Sequence, residues 1–149
     1  MNLFKDRARF ALFLGLLTAS HVSYASYFYT VLHIQIDNET GADCQLTDQS
    51  LAYGQYDSPP PQSIISHHSQ TFEASVGSIF YGPDMTLIYS CNNNNSMISF
   101  NIQRDTGITT APLPRITILK NSGLTLIATA KLTSSLYTYN IIVLLSAVS

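Results

Sequence analysis

The sequence predicts an all-β protein, an antiparallel β-sandwich of about eight or nine short strands with one disulfide. Three observations predict it. Short runs of alternating apolar and polar residues recur along the chain, separated by clusters of Gly, Pro, Asn, Asp and Ser. These runs are rich in Thr, Ile, Tyr and Val, residues that fit a pleated, half-buried surface. No stretch shows a helical period with caps.

The first residues read as an export signal and not as fold. Lys5, Arg7 and Arg9 form a positive head, Phe10 to Leu17 a short apolar run, and Ser23 to Ala25 the small residues that a signal peptidase reads. Cleavage is expected after Ala25, leaving residues 26–149 as a single β-sandwich domain. The apolar run is far below the ~20 residues needed to span a bilayer, so no transmembrane segment is expected in the mature chain. The product is expected outside the cytoplasm: secreted, periplasmic or on the cell surface.

Tyr27 to Ile36 alternates, with Leu32, Ile34 and Ile36 on one face, and reads as the first strand. Asp37 to Gly41 is a turn. The chain resumes at Cys44 with Leu46, then changes phase near Gln49 before Leu51 and Tyr53, which suggests a bulge or two short strands. Gly54 to Ser63 contains three consecutive prolines. Prolines remove ladder donors, so this stretch reads as a rigid surface loop.

Ser69 to Val76 and Ile79 to Tyr81 are short strand candidates. Met85 to Cys91 and Ile98 to Gln103 then alternate on either side of Asn92 to Asn95, the clearest hairpin in the chain. Arg104 to Gly107 and the Pro112 to Pro114 region read as breaks. Arg115 to Lys120, Leu124 to Leu132 and Leu136 to Val148 follow as strands, separated by turns at 121–123 and 133–135. The continuous apolar run Ile141 to Leu145 suggests a strand buried on both faces.

Both cysteines, Cys44 and Cys91, lie in the exported part, where the redox environment favours a disulfide between them. Setting aside Lys5, Arg7, Arg9 and Asp6 leaves four basic and eight acidic residues, a net charge of −4. A nucleic-acid partner, which calls for clustered Lys and Arg, is therefore not expected. The acids from Asp37 to Asp84 all precede Arg104, the first basic residue of the mature chain, and read as solvated loop residues.

No catalytic or metal chemistry is expected. The serines lack a nucleophile elbow, and His67 and His68, being adjacent, point to opposite sides of an extended chain and do not readily share a metal with His33. No zinc, phosphate-loop or calcium-loop spacing occurs, so neither a metal nor a cofactor is expected. The sequons Asn38-Glu39-Thr40 and Asn94-Asn95-Ser96 read as ordinary turn composition. Tyrosine and phenylalanine are plentiful and tryptophan is absent. Tyrosine suits lipid headgroups, sugars and proteins alike. The candidate binding residues are Tyr53, Gln55, Tyr56 and Pro60, beside the proline loop.

A pattern over roughly half of the mature chain resembles the aegerolysins and related small bacterial crystal-toxin proteins. It comprises Ile36 to Thr40, Leu46, Leu51, Gly54-Gln55-Tyr56, Pro60-Pro61 with Ile64, Phe72, Gly82, Leu87-Ile88-Tyr89 and Ile98-Ser99-Phe100. The resemblance implies a β-sandwich that binds membrane lipid, sometimes with a separate pore-forming partner. Tyr56 stands where that family often carries Trp. Two functions follow as expectations: a non-enzymatic exported module that binds membrane lipid, or a structural or protein-interaction sandwich of a secreted or cell-surface assembly. Pilin-like subunits share the second outline, but Ala147-Val148-Ser149 lacks their usual aromatic ending.

Overall fold

A computed structural model describes residues 29–78, 80–93, 95–104, 113–133 and 137–148. The expected leader, Tyr27 and Phe28, Ile79, Asn94, residues 105–107, Pro112, residues 134–136 and Ser149 lie outside the described residues. Ten strands are present: β1 (Thr30–Glu39), β2 (Cys44–Tyr53), β3 (Gln55–Ser58), β4 (Ser63–Ile64), β5 (Ser69–Val76), β6 (Asp84–Cys91), β7 (Ser96–Gln103), β8 (Arg115–Ser122), β9 (Leu124–Leu132) and β10 (Thr138–Ala147). The described residues contain no helix.

Alternation does on β1 what it promises. Thr30, Leu32, Ile34, Ile36 and Asn38 point inward and are buried, while the residues between them are half-buried on the other face. β1 lies at the centre of a five-stranded sheet, order β3-β5-β1-β10-β9. The second sheet has the order β4-β2-β6-β7-β8, and the inward residues of both sheets form one apolar core. In that core the Tyr89 and Phe100 rings stack 6.4 Å apart across the predicted β6–β7 hairpin.

One pairing departs from the antiparallel expectation. β1 and β10 run parallel, in unbroken register from Val31 opposite Thr138 to Glu39 opposite Ser146. The remaining pairs are antiparallel. The run Ile141 to Leu145 also differs from expectation: Ile141, Val143 and Leu145 are buried, whereas Ile142 is 43% exposed and Leu144 half-buried. Only the inner face of this sheet meets the core, so an apolar run in β10 is buried at every second residue.

The phase change in β2 is a pair of register shifts against β6, between Leu46 and Asp48 and between Leu51 and Tyr53. The Gly54 to Ser63 stretch is more than a surface loop. It holds β3 and β4, with the prolines between them, and Pro60 is buried. Proline has no N–H to satisfy, so its burial strands no donor. The Tyr89 hydroxyl fixes the segment by donating to the Pro61 carbonyl at 2.9 Å. Of the expected strand at 79–81, Phe80 and Tyr81 are irregular and exposed.

Cys44 and Cys91 face each other in the β2–β6 register and are bonded, with Cα atoms 4.1 Å apart and both residues buried. Beside them Asn38 is wholly buried. Its side-chain amide donates to the carbonyls of Ala42 and Ile64, each at 2.8 Å, and its Oδ1 accepts from the Thr40 amide and hydroxyl. A glycan cannot be carried on an amide nitrogen engaged this way inside the fold.

Two outcomes follow for stability. Replacing both Cys44 and Cys91 by Ala opens a cross-link spanning 47 residues, and urea unfolding should show a loss of about 2–4 kcal/mol. Burial raises the Tyr89 pKa above the ordinary 10.0, with Tyr56 adding to the shift. The neutral phenol is thus favoured in the folded state, and its contribution is complete below pH 10.0 and declines as pH rises above it. Urea melts above that pH should weaken less steeply for Tyr89→Phe than for the natural chain, although Tyr89→Phe starts less stable at neutral pH because it loses the bond to Pro61.

Candidate functional site

The register brings distant segments to one end of the sandwich. β1, β3, β6, β8 and β10 begin there, and β2, β5, β7 and β9 finish there: Thr30 lies opposite Val76, Gln55 opposite Ser75, Tyr53 opposite Asp84, Asp84 opposite Gln103, and Gln103 opposite Arg115. Five large apolar or aromatic side chains flank these strand ends, Tyr29, Tyr53, Phe80, Tyr81 and Leu113. Each is between 45% and 54% exposed.

Several contacts set the rings in place. Tyr53 and Tyr81 meet edge to face, with centroids 5.5 Å apart and planes at 65°. Tyr29 and Tyr53 contribute to a shallow cleft of about 410 Å³, lined also by Gly54, Gln55, Ser75, Val76 and Gly77. Gly54 turns the chain from one sheet to the other at φ +99°, and a Cβ there would come within 2.7 Å of the Ser75 carbonyl oxygen. Only glycine makes this crossing without strain.

Phe80 and Tyr81 are held from below. Their amides donate to the Ser78 hydroxyl at 3.1 and 3.2 Å, and the Ser78 carbonyl accepts from the Thr30 hydroxyl at 2.9 Å. Thr30 in turn accepts from Nη1 of Arg104 at 2.9 Å. Arg104 is 2% exposed, and its guanidinium lies 5.4 Å from the ring centroids of both Tyr137 and Tyr139. The chain passes so close to Arg104 that a Cβ on Gly82 would overlap the arginine Cβ. A buried cation therefore anchors the loop that carries the exposed rings.

Of the residues expected to bind, Tyr53 and Gln55 lie at this end and are exposed, and Gln55 donates to Asp57 at 2.8 Å. Tyr56 is half-buried, its ring edge-on to Phe72 at 6.2 Å, its hydroxyl buried without a hydrogen-bond partner among the described residues, and its pKa raised by burial. Pro60 is buried, so the exposed patch does not extend to it. Tyr29, Phe80, Tyr81 and Leu113 join Tyr53 instead. The signal that could have found two of them is Phe80-Tyr81 directly before Gly82-Pro83, an aromatic pair at a turn.

The end carries rings and hydroxyls together with two exposed basic residues, Arg115 at the start of β8 and Lys131 near the finish of β9. Two carboxylates lie nearby: Asp57 accepts from Gln55, and Asp84 is occupied by the side-chain amides of Asn101 and Gln103 at 2.8 and 3.2 Å. The histidines are elsewhere and apart: His33 pairs with Glu73 at 2.8 Å on the outer face of the first sheet, and His67 with Glu39 at 3.0 Å at the opposite end. Among the described residues no three His, Cys, Asp or Glu side chains are grouped to hold a metal ion. Chemically, the end can insert into an interface or stack against a ligand.

Fold and site together define an all-β sandwich of two five-stranded sheets with an aromatic end. No protein-family profile matches the chain, and no curated protein matches it. Solved structures do. The lipid binding protein Nakanori is similar at a TM-score of 0.57 and 11% identity, over 78% of this chain and 71% of that one. IP-1A from Alcaligenes faecalis is similar at a TM-score of 0.55 and 13% identity, over 80% of this chain and 92% of that one. At these identities the similarity is one of fold.

The aromatic end tests its own support. Gly82→Ala must displace the Arg104 side chain or the loop, and should cost about 1–3 kcal/mol in urea unfolding, as overpacking does. It should also raise amide hydrogen exchange at Phe80 and Tyr81 before other residues.

Proposed function

We propose that this chain is an exported, non-enzymatic binding module that contacts membrane lipid through its aromatic end, in an aegerolysin-like manner. The observation that carries the reading is the set of Tyr29, Tyr53, Phe80, Tyr81 and Leu113, half-exposed at one end of the sandwich. Tyrosine rings favour the headgroup layer because the ring is apolar and the hydroxyl is wet. A fold shared with a lipid binding protein supports the reading. Export is supported by the signal-like N-terminal sequence and by the Cys44–Cys91 bond, which belongs to an oxidising compartment.

The scaffold suits surface contact. No described helix is long and apolar enough to cross a membrane. Binding would then rest on shallow burial of a few rings and not on insertion of a whole element. Net negative charge on the mature chain makes anionic lipid a poor electrostatic partner, so neutral headgroups are the expected targets.

Vesicle pelleting tests this directly. Vesicles of phosphatidylcholine, phosphatidylethanolamine, phosphatidylserine or sphingomyelin, each with and without cholesterol, should include at least one neutral composition that captures the protein. Tyr53→Ala with Tyr81→Ala should weaken that capture about tenfold per ring, or about 1.4 kcal/mol each, with an unchanged circular dichroism spectrum. Failure of every composition to bind would refute the reading.

A further inference from the structure

Four strands form the edges of the two sheets, and they are not equally protected. β3 has four residues and a register shift, and β4 has two residues and follows three prolines. β8 carries a register shift against β7 that leaves Leu119 unpaired, and it bears Arg115 and Lys120. Shortness, proline, bulges and charge are the devices that keep a sheet edge from pairing with another chain. β9 has none of them in comparable measure. It holds nine residues in unbroken register with β10, without proline or glycine and with one charge, Lys131. Among the described residues no strand pairs with its outer edge.

The sequence of β9 is also compatible with itself. In an antiparallel pair centred on Ala128, Thr125 would face Lys131 of a second copy, and Ile127 would face Thr129. Leu126 would face Ala130, and Leu124 would face Leu132. The sole charge thus meets a hydroxyl and not its own copy, so no like charges oppose one another along the strand. Inward residues stay inward in this register: Leu126, Ala128 and Ala130, half-buried at the free edge, and Leu132, exposed there, would gain a neighbour.

We infer that the free edge of β9 is a self-association surface, pairing antiparallel with β9 of a second copy to make a two-fold dimer with a continuous ten-stranded sheet. The antiparallel arrangement sends the two aromatic ends toward opposite poles of the dimer. Each copy keeps its rings free. The inference rests on the edge alone and stands whether or not the aromatic end binds lipid.

Sedimentation equilibrium of the purified, disulfide-bonded chain over roughly 1 to 200 µM tests it without lipid. The natural chain should show a reversible monomer–dimer equilibrium. Thr125→Lys, at an exposed position, sets two like-charge pairs against Lys131 across the dimer and should weaken association about tenfold. Thr125→Glu should tighten it, and Thr125→Lys combined with Lys131→Glu should restore it. A natural chain that stays monomeric throughout would overturn the inference. So would a dimer that weakens equally with Lys and Glu at position 125, or one that responds to neither, because either result places the contact outside this register.

Discussion

The structure depends on β1, which is hydrogen-bonded on both sides and carries a buried polar residue at each end of its apolar stripe. Between β5 and β10 it sets Leu32, Ile34 and Ile36 into the core and joins the beginning of the described chain to its end. At one end Asn38 bonds the turn that leads into the second sheet, next to the disulfide. At the other, Thr30 links Arg104 of β7's exit to the Ser78 loop. Buried polar groups are costly unless satisfied. Thr30 is satisfied by segments far away in sequence, and Asn38 by its own turn at Thr40 and Ala42 and by Ile64 of the second sheet, so each ties the two sheets together at its own end.

The two ends are consequently different in kind. Around Asn38 the polar groups turn inward and a covalent bond holds β2 to β6. Around Thr30 the Arg104 guanidinium is also internal, but the aromatic rings turn outward. The backbone passes close to buried Arg104 at Gly82 and to the Ser75 carbonyl at Gly54, and these close passages set the path of the loops that carry the rings. Rings exposed together at one end of the sandwich are the arrangement an interfacial contact needs.

Local pattern carried much of this fold. Period-2 alternation identified the inward face of β1 and both arms of the β6–β7 hairpin, and the turn residues bounded β9 to the residue. The two cysteines, both in the part of the chain expected to be exported, indicated the disulfide. Alternation describes one strand at a time, however, and contains nothing about which strand lies beside it. The parallel β1–β10 pairing therefore had no local sign. The same reason explains the one-sided burial of Ile141 to Leu145, since an apolar run reports side-chain type and not whether a second layer covers it. The candidate region was legible only at Tyr53 and Gln55. Its other members come from the segments before β1, before β6 and before β8, which only the assembled register brings together, while Pro60 is buried, as a proline can be without leaving a donor unsatisfied.

The most direct measurement of the central claim is residue-resolved contact with a bilayer. In a solution NMR titration with phosphatidylcholine and sphingomyelin nanodiscs, signal attenuation should be confined to Tyr29, Tyr53, Phe80, Tyr81, Leu113 and their immediate neighbours, leaving the Asn38 end unchanged. Attenuation centred on the Asn38 end or on the outer face of either sheet, or no attenuation at any lipid ratio, would contradict the account.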